Sequence, residues 1–388
     1  MTSSVPRHSR LALAVLAAVV LAGALLAIWS GPPARASDAL SITPAVGVPA
    51  TEAVLVARSA GNHDALWLLS PVDGTPTAAG ELPGRAGTVA VSPDGTNVAY
   101  LPANSGPRVW IAYGALGPKT ITLAGAGVKR AYSLTWIDDG RLLVSGVTRA
   151  NADYYTSRLF LVNAATGKVR AFRDLSGIEP SAATAVGKVA YVKVTTVVPQ
   201  TGYRGPVVRE SLKVLSLSHP GGGRTIWSEQ TRIEAAYRAF SQPQVSPDAT
   251  WFLTGETGSD VRVTYAIRDR NGYPLLSLYT PALQAGAGWD ATGRRTAFAG
   301  VPDTAGQGSQ ACVWIYDVDS GSLVRSPRAL DIGTMVASLS WAPSGLLVAN
   351  TYGWSGATSR HNLVLSGDLS TATDLGTGRL PAWVKVTP

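Results

Sequence analysis

Along this chain an apolar residue stands seven positions before a glycine, again and again. Trp67 leads to Gly74, Trp110 to Gly117, Phe160 to Gly167, Val214 to Gly221, Tyr265 to Gly272 and Trp314 to Gly321. Val364 and Thr371 keep the offset in a degraded seventh copy. Each copy reads as a strand ending in a turn, because glycine enters the left-handed backbone region without steric cost. A second unit alternates with the first. It runs Val89-Ala90-Val91-Ser92-Pro93-Asp94-Gly95 and then Val98-Ala99-Tyr100. It recurs as Leu134-Thr135-Trp136-Ile137-Asp138-Asp139-Gly140 and then Leu142-Leu143-Val144, with weaker copies centred on Gly187, Ala249, Gly293 and Gly345. Four positions before each centre stands Val91, Trp136, Ala183, Val245, Trp289 or Trp341. This unit reads as a strand, a tight hairpin and a strand, since Asp-Gly suits such turns.

Together the two units make four short strands, A to D, about every 45 to 60 residues, the period of a propeller blade. They pair six times and leave two pieces. Residues 53–83 hold B, C and D strands without an A strand. Pro381-Ala382-Trp383-Val384-Lys385-Val386 is a lone A strand, its Trp383 matching Trp136, Trp289 and Trp341. Joining the pieces predicts an all-β, seven-bladed β-propeller closed by pairing of its N- and C-terminal strands; six blades with unrelated ends is the alternative. Closure has a physical motive, because a ring protects the sheet edges and the terminal strand clips it shut. The repeated Trp and Tyr are then expected to pack between blades. With 41 Gly and 25 Pro against 5 Phe and 2 Met, the composition favours turns and short strands over long helices.

The Ser92-Pro93-Asp94-Gly95 turn followed by Val98-Ala99-Tyr100 resembles the repeat of TolB-type, WD-like bacterial β-propellers. Ser246-Pro247-Asp248 and Ala342-Pro343-Ser344-Gly345 are looser matches, and the resemblance covers residues 50–388. It implies an envelope protein that binds other proteins. TolB proteins carry an N-terminal α/β domain, whereas about a dozen residues separate Ala36 from the first strand here. Similar repeats form the propeller of prolyl-oligopeptidase-type enzymes, which need a Gly-x-Ser-x-Gly elbow. Gly353-Trp354-Ser355-Gly356-Ala357 lacks the last glycine and reads as a loop.

The N-terminus reads as an export signal. Arg7 and Arg10 precede an uncharged apolar run from Leu11 to Trp29, and Ala34-Arg35-Ala36 supplies an A-x-A cleavage site. Residues 1–36 are therefore expected to be a signal peptide or, if uncleaved, a membrane anchor through residues 11–29. Residues 37–52 read as a linker and 53–388 as the propeller. Either fate of the leader places the rest outside the cytoplasm, secreted or anchored at the outer side of the membrane. The net charge of +8 falls to +5 once Arg7, Arg10 and Arg35 are set aside. Its basic residues are scattered, which argues for solubility and against nucleic acid as a partner. The lone cysteine, Cys312, sits in an apolar run and reads as a buried small hydrophobe.

Little here calls for catalysis, a metal or another cofactor. Beyond the leader the histidines are His63, His219 and His361, without metal-ligand spacing. Asp317-Val318-Asp319-Ser320-Gly321 resembles part of a calcium loop, but Arg328 stands where that loop needs its glutamate, so a hairpin turn is expected. In a propeller the B–C and D–A connections share one face. His63 and His361 fall at B–C connections of neighbouring blades, and with Asp64 they are the candidate catalytic residues of an alternative, lactonase- or lyase-like enzyme. The long B–C connections, 148–157, 198–209, 301–311 and 353–360, make that face the expected binding surface. Arg149, Tyr154, Tyr155, Tyr203, Arg204, Trp354 and Arg360 are its candidate anchors, since Tyr, Trp and Arg bury large area while keeping a polar handle. The chain reads as a monomeric, non-catalytic module for an envelope or extracellular protein or glycan; a membrane-tethered sensor is a further alternative.

Overall fold

The computed structural model describes residues 51–386 apart from residue 105 and the segments 151–154, 173–180, 187–188, 199–206, 218–222, 233–238, 241–243, 258–262, 281–286, 301–310, 327–334 and 353–359. The leader, residues 37–50 and the Gly187 and Gly221 turns lie outside the described residues. No described helix is long and apolar enough to cross a membrane.

Seven antiparallel sheets form the ring. Six take their strands in chain order; the seventh borrows its inner strand from the other end of the sequence. That closing sheet, blade one, runs Arg379–Lys385, Glu52–Ala60, His63–Leu69 and Pro76–Glu81 from the channel outwards. The six-bladed alternative is thereby excluded, and Glu52 opens the first described strand. Blade seven carries Met335–Trp341, Leu347–Tyr352, Arg360–Leu365 and Ala372–Thr377. In blade five the inner edge is split, with Ala239–Phe240 and Gln244–Val245 both pairing with Trp251–Thr257.

Position in the ring explains the composition of each strand. Central strands are covered on both faces by neighbouring blades, so they read as continuous apolar runs: Val98–Pro102 is buried throughout, as is Cys312 through Tyr316. Outer strands face water: Pro76–Glu81 is polar or small, while Leu275, Leu323 and Val324 stand exposed on the outer strands of blades five and six. Within one central strand the pleat sends alternate residues to opposite interfaces. Val54 and Val56 pack with Val348, Val364 and Trp383 against blade seven. Leu55 and Ala57 pack with Val98, Tyr100 and Trp110 against blade two.

The repeated tryptophans also donate a hydrogen bond between blades. Trp136 Nε1 donates to the Ala90 carbonyl at 3.0 Å and Trp289 Nε1 to Gln244 at 3.0 Å. Trp341 Nε1 donates to Gly288 at 3.1 Å and Trp383 Nε1 to Ser340 at 3.0 Å. Every acceptor lies on the inner strand of the preceding blade, so each indole ties one blade to the next while its ring fills the interface. Val91, Ala183 and Val245 occupy the same repeat position with no such donor to offer.

The hairpin turns are stiffened by one side-chain device. In Ser92–Asn97 the Ser92 hydroxyl donates to Asp94, Asp94 accepts from Thr96 N–H at 2.9 Å, and Ser92 Oγ accepts from Asn97 N–H at 2.9 Å. Gly95 sits at φ 77°, where a side chain is strained. Ser246–Trp251 repeats this network, with Ala249 at φ 57°. The degraded copy at Thr371 turns out to borrow it too. Ser366 donates to Asp368, and Leu369 rather than a glycine takes the left-handed position at φ 60°. Leu369 is fully buried against blade six, which offsets its backbone strain. Asp317 caps its own hairpin turn, accepting from Asp319 and Ser320 N–H, and Cys312 is a buried thiol.

Candidate binding face and its cationic seam

Of the predicted site residues, His63 and Asp64 lie on blade one and His361 and Arg360 on blade seven, the two blades that meet at the closure. His63 opens strand C of blade one and His361 is the second residue of strand C of blade seven. The blades are neighbours, but the two imidazoles are engaged separately. His63 Nδ1 lies 3.2 Å from Asn62 Oδ1, and its Nε2 lies 3.6 Å from Glu81. His361 Nδ1 lies 2.9 Å from Asp374 Oδ2. His361 shares its strand face with Leu363 and Leu365, which pack toward blade six, so it points away from blade one.

Asp64 joins neither histidine. It is fully buried and holds Arg379, whose Nη2 donates to both carboxylate oxygens at 2.7 Å. Its Oδ2 also accepts from Ala86 N–H at 2.8 Å. The Arg379 side chain continues to the Ala86 carbonyl at 3.3 Å. This clamp pins the first residue of the closing strand to strand C of its own sheet and to the inner strand of blade two. A pair this buried specifies geometry more than it adds stability, but removing either partner is costly. Nearby, the buried Tyr100 hydroxyl finds no hydrogen-bond partner among the described residues, and burial, with the Asp64 charge adding to it, pushes its phenol far up.

Two further arginines meet the same corner. Arg58 Nε donates to the Thr377 carbonyl at 2.9 Å, and its guanidinium lies 5.7 Å from the centre of the Trp67 ring. Gly378 N–H donates to the Arg360 carbonyl at 3.2 Å. Arg58, Arg360 and Arg379 are thus rooted at the consecutive positions Thr377, Gly378 and Arg379. Arg360 opens strand C of blade seven, opposite Tyr352 in register, and is partly buried. It shares its strand face with Asn362 and Val364, which look toward blade one. Beneath it Asn350 Nδ2 donates to Asn362 Oδ1 at 2.8 Å and to the Gly378 carbonyl at 3.0 Å, a buried network that fixes the corner. Burial pulls the Arg360 pKa down, the Arg379 cation pulls it further, and the Tyr352 phenol opposes them. Burial alone lowers that of Arg58.

Of the predicted anchors, Arg360 is the one whose side chain is described. Arg149 and Tyr155 lie in strands, with no side-chain geometry described. Tyr154, Tyr203, Arg204 and Trp354 lie outside the described residues. Arg58 and Arg379 escaped the sequence reading because each sits within an apolar strand where nothing flags a role; the register of the closing sheet brings them to Arg360. No group of His, Cys, Asp and Glu among the described residues could hold a metal ion.

The geometry defines the class as a seven-bladed β-propeller, and solved structures agree on the fold. No protein-family model matches the chain, and no curated protein does. Among solved structures, a puromycin hydrolase is similar at 16% identity and TM-score 0.58, over 91% of this chain and 55% of that one. The propeller domain of the trilobed protease from Pyrococcus furiosus, described as having an open velcro topology, is similar at 14% identity and TM-score 0.55, over 86% of this chain and 96% of that one. TolB from Acinetobacter baumannii is similar at 15% identity and TM-score 0.44, over 86% and 66%. The chain therefore spans less than two thirds of the TolB and hydrolase structures it resembles. In contrast to the open velcro described for the archaeal domain, the ring here is closed by its terminal strands.

Proposed function

We propose that this protein is an exported, monomeric, non-catalytic TolB-like propeller that holds a protein or glycan partner on its B–C face, in the envelope or outside the cell. The observation that carries this reading is the corner at blades seven and one. There Tyr352 is 38% exposed beside the partly buried Arg360, on a platform fixed by buried hydrogen bonds. Desolvating a guanidinium without supplying a partner costs free energy that an incoming acceptor would return. The export segment in residues 1–36 supports the location, and the TolB-type repeat supports a binding role. The enzyme alternative needs His63, His361 and Asp64 to act together, and their separate engagements give it no geometric support.

Cross-linking in intact cells, followed by capture of the protein and mass mapping of linked residues, tests this function. Partner cross-links are expected in 148–157, 198–209, 301–311 and 353–360. Cross-links concentrated at the Ser92–Asn97 and Ser246–Trp251 turns of the opposite face would overturn it. Intact mass of the captured protein reports whether residues 1–36 remain, and so separates a free domain from a tethered one.

A further inference from the structure

The corner at Thr377–Arg379 carries a charge imbalance that the fold does not need. Three arginines are rooted there, from strand B of blade one, strand C of blade seven and the head of the closing strand, and the Arg379 cation acts on Arg360. Asp64 answers only Arg379. Of the carboxylates on the adjoining strands, Asp374 is held by His361 at 2.9 Å and Glu81 lies 3.6 Å from His63. Arg58 has no carboxylate partner among the described residues, and Arg360 has neither a hydrogen-bond nor an ion-pair partner for its side chain among them. The 353–359 segment leading into Arg360 contains no acidic residue. Arg85 adds a further cation to this face, donating to the Gly61 carbonyl at 2.9 Å. Arg360 is not an accidental surface residue either, because the Asn350–Asn362 network and the Gly378–Arg360 bond hold its backbone in the seam.

We propose that this corner is the docking point for an acidic segment of a protein partner, whose side-chain carboxylates pair with Arg360 and Arg58. The proposal rests on the B–C face being the binding face and adds the chemistry of the partner. Arginine suits this role because its planar fork takes a carboxylate through two parallel N–H bonds. Arg360 is partly buried at the seam, which favours a carboxylate carried on a flexible stem. A glutamate side chain supplies one, whereas a carboxylate borne directly on a sugar ring is held off by the width of the ring. Tyr352 beside Arg360, with Trp67 under Arg58, gives the aromatic and arginine pairing typical of protein interfaces.

The test uses the full chain without its leader and a fluorescent hexaglutamate peptide, followed by anisotropy at low and physiological salt. Binding is expected, weakening as salt rises. Arg360→Gln is expected to weaken it about tenfold or more and Arg360→Lys by less, because lysine keeps the charge and loses the fork. The exposed outer-strand variant Arg325→Gln is expected to bind like the parent. Unchanged thermal unfolding of Arg360→Gln would show that it remains folded. Hexagalacturonate serves as the second probe. Tighter binding of it, lost in Arg360→Gln, would overturn the peptide reading in favour of an acidic glycan. Peptide binding that ignores Arg360, or no binding of either probe, would overturn the proposal itself. Cellular cross-links on the B–C face would survive those failures, so the two ideas can fail separately.

Discussion

The joint that closes the ring and the joints around blade four are built differently. At the closure, Trp383 ties blade one to blade seven, and the Asp64–Arg379 clamp ties it to blade two. Glu52 accepts from Ser344 of blade seven at 2.6 Å, and Lys385 N–H donates to Gly95 of blade two at 2.9 Å. Among the described residues, blade four meets its neighbours mainly through apolar packing. Val192, Val194, Leu215 and Leu217 lie against blade three, and Tyr191 stacks at a tilt on Phe252 of blade five, ring centres 5.0 Å apart. Arg170 Nη2 donates to the Leu217 carbonyl at 2.9 Å, but Ala183 and Val245 give no indole bond. The difference is physically sensible. Blade four is held in sequence by covalent connections, whereas blade one is assembled from two chain ends and must be secured by contacts. The candidate binding corner sits on the secured joint, where a guanidinium can be held in place before a partner arrives.

The sharpest way to break this comparison is to delete residues 379–388. The closing sheet would lose its inner strand, Trp383 and Arg379 together, and no cooperative unfolding transition is expected by circular dichroism. Asp64→Asn comes next. It leaves the Arg379 charge without its buried partner and should cost about 3 kcal/mol in urea unfolding. Trp383→Phe keeps most of the packing and removes the donor, for an expected loss of about 1 kcal/mol, whereas Arg170→Ala at the blade three–four joint should stay within ~0.5 kcal/mol. An Arg170 effect as large as that of Trp383 would erase the distinction. The smallest effect is a titration. Hydrogen bonds from Ser366 and Ser370 hold the Asp368 carboxyl down to about 2. A lowered folded value means its stabilisation is present above the usual carboxylate range and is lost as pH falls toward 2. Carboxyl-carbon NMR should show that midpoint, and Ser366→Ala should raise it.

The architecture was legible because it is periodic. The offset from apolar residue to glycine and the matching Trp136, Trp289, Trp341 and Trp383 foretold seven blades and their closure. The indole hydrogen bonds were not foretold, because packing alone would select the same residues. Leu369 showed the limit of glycine as a marker: a buried leucine held the left-handed position once the Ser366–Asp368 turn secured it. The site was barely legible. His63, Asp64 and His361 look like a constellation in the sequence, but alternate residues of a strand point to opposite blades, and the pleat parts them. Arg58, Arg360 and Arg379 are scattered in the sequence and meet only through the register of the closing sheet.

Native-state hydrogen exchange on the intact protein tests the central contrast most directly. The second strands of blades one and four, Glu52–Ala60 and Val189–Val198, occupy equivalent places in their sheets. If the closure is the secured joint, amides of Val189–Val198 exchange at least about tenfold faster than those of Glu52–Ala60. Exchange that begins at Glu52–Ala60 and Arg379–Lys385 while blade four stays protected would contradict the account.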